Sequence, residues 1–188
     1  MPILGIIDSA KSGNLWPANS FESIATTTGT GSSGIITLSS IPQTYKHLQV
    51  RAIIRSTEAT SGTNYYTTLN GNSGTVYSQH RIQGDGSTVG VSGQASQTGV
   101  FTGRAPGTST TNGTMATLIL DIYDYALTTN NKTFRMLSGQ DSNQSYAGLI
   151  SIRSSVYQST SAITSITFTI DSPANFSTTT SFALYGIK

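Results

Sequence analysis

The chain has 188 residues, a length that suits one domain, or one domain with an arm. Its net charge is +2 and its 10 Lys and Arg are scattered without a basic run, which argues against an electrostatic nucleic-acid binder. Cysteine is absent, so neither a disulfide framework nor thiolate chemistry is available, and no apolar run reaches the roughly 18 residues of a membrane-spanning helix.

Charged residues make up only 10% of the chain and hydrophobic ones 36%, a lean core-forming content. Ser and Thr fill the gap. A Thr-rich chain with little Glu, Lys or Ala is poor helix material and good strand and loop material. Nine Tyr and six Phe, set in alternating runs, argue against disorder.

Residues 1–22 stand apart. They carry an apolar head, two Pro and the single Trp, with no sustained period. The head lacks a basic region and meets Asp8 early, which makes it a poor signal peptide. Ile3, Leu4, Ile6, Ile7, Leu15 and Trp16 are too much apolar surface for a solvated tail. The stretch is therefore read as an N-terminal arm, lying either on its own domain or on a neighbouring subunit. These six residues are the candidate assembly contacts. Residues 23–188 are assigned to one β-sandwich domain.

Phe21 to Thr28 reads as a first strand and Ile35 to Ser39 as a second. Between them Gly29 to Gly34 matches G-x-G-x-x-G. That fingerprint needs a helix after it to receive a pyrophosphate, and a strand follows instead, so the stretch is read as a hairpin loop. His47 to Arg55 is the clearest strand of the first half, with Leu48, Val50, Ala52 and Ile54 facing the core. Asn64 to Asn70 and Thr75 to Gln83 are further strands, and Asn70-Gly71 is a tight-turn dipeptide. Gly84 to Gly113 is rich in Gly, Ser and Thr. It is assigned one or two short strands, near Val89 to Gly93 and Thr98 to Gly103, joined by exposed loops.

Thr114 to Asp124 directs Ala116, Leu118, Leu120 and Ile122 inward. Lys132 to Ser138 and a long Tyr146 to Tyr157, bulged at Gly148, follow. The last two strands, around Ile166 to Ile170 and Ser181 to Ile187, are expected to be the pair on which the others pack. About ten short strands and no convincing helix imply an all-β sandwich, of jelly-roll type.

Marks of catalysis are absent. His47 and His80 lack an H-x-H or H-x-x-x-H partner, and no G-x-S-x-G elbow occurs. Asp121 and Asp124, three apart on a strand, point to opposite faces and cannot form a glycosidase pair. No catalytic residue, metal or cofactor is expected. Matches to the N-glycosylation pattern at Asn112, Asn131, Asn143 and Asn175 are the number chance supplies in such a chain.

Two stretches carry a resemblance. Pro2-Ile-Leu-Gly-Ile-Ile-Asp-Ser-Ala-Lys-Ser-Gly-Asn-Leu15 with Phe21-Glu-Ser-Ile-Ala-Thr26 is one. Ile35 to Arg51, with Phe182-Ala-Leu-Tyr-Gly-Ile-Lys188, is the other. Together they resemble small virion proteins of tailed bacteriophages, usually described as structural, tail or tail-fibre proteins. The resemblance covers both ends and the first strands, not the middle from about 57 to 113. It implies a non-enzymatic part of the virion exterior, either a capsid decoration (cement) protein or a tail or fibre component. The expected partners are other virion proteins and further copies of the chain, with a trimer as the favoured count, and neither nucleic acid nor membrane. The alternative is a receptor- or carbohydrate-binding module for a host surface glycan. Its expected mark is Tyr65, Tyr66 or Tyr77 exposed together in a groove.

Overall fold

The computed structural model describes residues 20–141, 148–171 and 173–188. Every regular element among them is a strand: β1 (Phe21–Thr28), β2 (Ile35–Leu38), β3 (His47–Ile54), β4 (Thr63–Leu69), β5 (Tyr77–Gly84), β6 (Val89–Gln97), β7 (Val100–Ala105), β8 (Ala116–Ile122), β9 (Lys132–Gln140), β10 (Leu149–Tyr157), β11 (Ile166–Ile170) and β12 (Ser181–Ile187). They form two antiparallel sheets packed as a sandwich. One has eight strands in the order β1-β12-β3-β8-β9-β10-β5-β6, the other four in the order β2-β11-β4-β7. Consecutive strands keep passing from one sheet to the other, a winding shared with jelly rolls. The meander β8–β9–β10 lies within the large sheet.

The six candidate contacts of the arm, Ile3, Leu4, Ile6, Ile7, Leu15 and Trp16, lie outside the described residues. Phe21 and Glu22, counted with the arm on sequence, pair with Ile187 and Gly186 and belong to the sandwich.

The closing strands are central, but not to each other. β11 lies between β2 and β4, and β12 lies between β1 and β3, in opposite sheets. Their inward rings meet across the core, where Phe168 stacks on Phe182 at 4.3 Å and Phe176 meets Phe182 edge-on at 5.6 Å. The inward sets of β3 and β8 are buried as their alternation requires.

Other expectations change in detail. Gly29 to Gly34 is a crossover between sheets, not a hairpin, because β1 and β2 lie in different sheets. Its first and last glycines press on backbone: a Cβ on Gly34 would meet the Ala174 carbonyl at 3.0 Å. Asn70 and Gly71 both have positive φ, 55° and 63°, and the turn is closed by Asn72 N–H donating to the Leu69 carbonyl. This turn also changes sheets. β6 is a full nine-residue edge strand, longer than the Gly- and Ser-rich sequence suggests. β10 starts at Leu149 and pairs without a bulge on both sides.

Candidate functional site

At one end of the large sheet the usual distribution of side chains is inverted. Tyr77 on β5 and Tyr157 on β10 are direct cross-strand partners and stack at 5.0 Å inside the core. The Tyr77 hydroxyl donates to the Asn72 carbonyl and accepts from Leu69 N–H. These two buried rings set the phase of both strands. Counting outward by twos from them, the inward positions are Ser155, Arg153 and Ser151 on β10, and Gln79, Arg81 and Gln83 on β5. The same phase turns Ile150, Ile152 and Ile82 to the outside.

The outward side chains line up in register. Ile119 on β8 is opposite Leu137 on β9, Leu137 opposite Ile152 on β10, Ile152 opposite Ile82 on β5, and Ile82 opposite Val91 on β6. A neighbouring row adds Ile53, Ile150 and Val89. Each of these eight aliphatic residues is between 38% and 77% exposed. Together they present on the order of several hundred Å² of aliphatic surface, about what one partner gives to a standard protein interface. A shallow depression of about 480 Å³ between Ile82, Val91 and Ile152 dents the band.

A polar row runs along one flank: Gln49, Asp121, Arg135, Ser154 and His80 in successive strands. Gln49 donates to Asp121 at 2.7 Å, and Arg135 lies 3.5 Å from the other Asp121 oxygen. An aliphatic centre with a hydrogen-bonded charged margin is the anatomy of an interface.

The inner side of the same end is a polar groove of about 550 Å³. β7 is the edge of the four-stranded sheet, and the large sheet continues past it through β5 and β6. Gln79, Arg81 and Gln83 form one wall, with Gln94 and Gln97 of β6 beside them, and Asn64, Tyr66, Phe101 and Arg104 form the other. A register shift in the β4–β7 ladder at Tyr65/Tyr66 leaves Thr102 as the extra residue. Phe101 lies against Tyr66, edge-on at 5.6 Å.

Most of the residues that the sequence offers as candidates for chemistry prove structural. His47 Nδ1 accepts the Asp124 N–H at 3.0 Å, so the ring caps a turn in which Asp124 has φ 46°. His80 is exposed on the outer face. Among the described residues no three His, Asp or Glu side chains gather as metal ligands. Tyr65 and Tyr77 are core residues; of the three tyrosines expected in a groove, Tyr66 alone reaches it. The cluster of Gln and Arg around it has no motif in the sequence.

No protein-family model matches the chain, and no curated protein matches it. Among solved structures, galectin LEC-6 of Caenorhabditis elegans aligns over 84% of this chain and 94% of its own, at 10% identity and a TM-score of 0.35.

Proposed function

We propose that the chain is a non-enzymatic structural component of a tailed-phage virion, either a capsid decoration protein or a tail or fibre part, that assembles with further copies of itself. The observation that carries this reading is the aliphatic band from Ile119 to Val91 on the outer face of the large sheet. A solvated antiparallel face alternates to polar residues. Here hydrophobic side chains whose burial would stabilise by about 1.5–3 kcal/mol each stay exposed. A second copy presenting the same band supplies the cover: the patch has the size of one half of a standard interface, and its margin carries both signs of charge. The apolar stretch from Ile3 to Trp16 then anchors the module to another virion protein.

The direct test is to purify particles on a density gradient from cells in which phage carrying this chain multiply, and to quantify the chain by mass spectrometry. Recovery with the particles in many copies supports the reading. Recovery confined to the soluble fractions overturns it. The glycan-binding alternative is favoured by one separate feature, the polar groove.

A further inference from the structure

Two cationic groups, Arg81 and Arg104, line the groove, and a third, Arg153, lies buried behind the Phe101 ring of its wall. Arg153 is 1% exposed, and its Nη1 donates to Ser151 Oγ at 2.6 Å and to the Thr102 carbonyl at 3.2 Å. Its Nε and Nη2 have no hydrogen-bond partner. Its guanidinium lies 4.4 Å from the centre of the Phe101 ring, and that of Arg81 lies 5.8 Å from the same ring. Arg104 lines the opposite wall. None of the three takes part in an ion pair among the described residues. The carboxylate at the rim, Asp85, is occupied by its own turn, accepting the Ser87 and Thr88 N–H groups at 2.9 and 2.7 Å. Burial and the nearby charge of Arg81 draw the Arg153 pKa down to about 10, which leaves it cationic at neutral pH.

Polar groups wait beside these charges. Gln79 is 4% exposed, and its Oε1 has no partner, nor do Gln83 Oε1 and Arg81 Nε. Buried polar atoms are rarely left unpaired, and buried charges are normally matched. Amides that exchange hydrogen bonds with hydroxyls, guanidinium groups that hold a carboxylate, and the Tyr66 ring as a stacking face form one set of complementary features.

We propose that this groove binds an acidic saccharide, a sugar residue bearing a carboxylate of the uronic or nonulosonic type. Its carboxylate faces Arg81 and Arg104 beside the buried charge of Arg153. Its hydroxyls exchange hydrogen bonds with Gln79 and Gln83, and its ring lies against Tyr66. The site is independent of the outer face, so its failure leaves the assembly reading standing.

The test is calorimetric titration of the full chain with three probes: an oligomer of glucuronic acid, the same oligomer after reduction of its carboxyl groups, and a short Asp/Glu peptide. Sialyllactose and lactose serve as a second acidic and neutral pair. At least one acidic saccharide is expected to bind at least tenfold tighter than its neutral counterpart, with a further loss of at least tenfold in Arg81→Gln and in Arg104→Gln. Unfolding midpoints show whether each variant is folded. The acidic saccharide should raise the wild-type midpoint and leave that of Arg81→Gln unchanged. Equal binding of acidic and neutral sugars overturns the proposal, as does binding of the peptide alone, undiminished binding by the two variants, or no binding by any probe.

Discussion

Gly186 lies directly under the Tyr45 ring, and a Cβ at this position would overlap ring carbons. The ring has little freedom to move away. Its hydroxyl donates to Glu22 Oε2 at 2.8 Å, while Glu22 Oε1 takes Lys188 Nζ at 2.7 Å. Gly186→Ala is therefore expected to destabilise the fold by about 1–3 kcal/mol, read from urea denaturation. An unchanged midpoint would mean that the ring shifts freely. The same cluster sets a pH dependence. Hydrogen bonds from Lys188 first, then Tyr45, hold the Glu22 carboxyl below its ordinary value of 4.5. A depressed folded-state pKa contributes stability that is present above the unfolded value and lost as pH falls through the folded one. The stability gap between wild type and Glu22→Gln should narrow as pH drops below about 4.5. A gap that stays constant from pH 6 to pH 3 would remove Glu22 from the acid response. The effect is small, because the group is exposed to solvent.

Strands whose apolar alternation faces the core were legible in the sequence: β3, β8, β11 and β12 carry their large residues at every second position and bury them. β10 and β5 were legible as strands, yet their phase was not. Alternation alone would turn Ile150, Ile152 and Ile82 inward. The stacked Tyr77–Tyr157 pair, which no local pattern announces, places them outside. Two rings closing the core with satisfied hydroxyls outweigh three aliphatic residues that another surface can cover. The groove was hidden for the same reason: its Gln and Arg residues converge from three strands, β5, β6 and β7, across both sheets. The role of β12 is also testable at this scale. Removing residues 181–188 takes away the strand that joins β1 to β3 and buries Phe182 and Leu184. The shortened chain should lose cooperative unfolding by circular dichroism. Retention of a sharp transition would show that the sandwich closes without it.

The whole molecule has two unequal ends. Around β12, β3 and β8 it is an ordinary sandwich with a dry aromatic and aliphatic core. Around β10, β5 and β6 the inside is polar and the outside aliphatic, and the edge of the large sheet at this end is β6, with Val89 and Val91 the most exposed apolar residues of the band. An edge strand of this kind needs protection from unplanned pairing, and β6 has neither a charge nor a Pro to provide it. The proposed self-assembly is the reading under which this outward band finds a cover.

Light scattering of the full chain beside its Ile152→Lys and Ile82→Lys variants tests this most directly. Both side chains point outward, so the variants should keep the wild-type circular dichroism spectrum and a cooperative transition while the aliphatic row is broken. A defined oligomer is predicted for the wild type, and a monomer, or at least tenfold weaker association, for both variants. A chain lacking residues 1–19 should keep the wild-type oligomer, because the band lies wholly within the sandwich. A monomeric wild type, or an oligomer indifferent to both lysines, would contradict the outer face as the contact between copies.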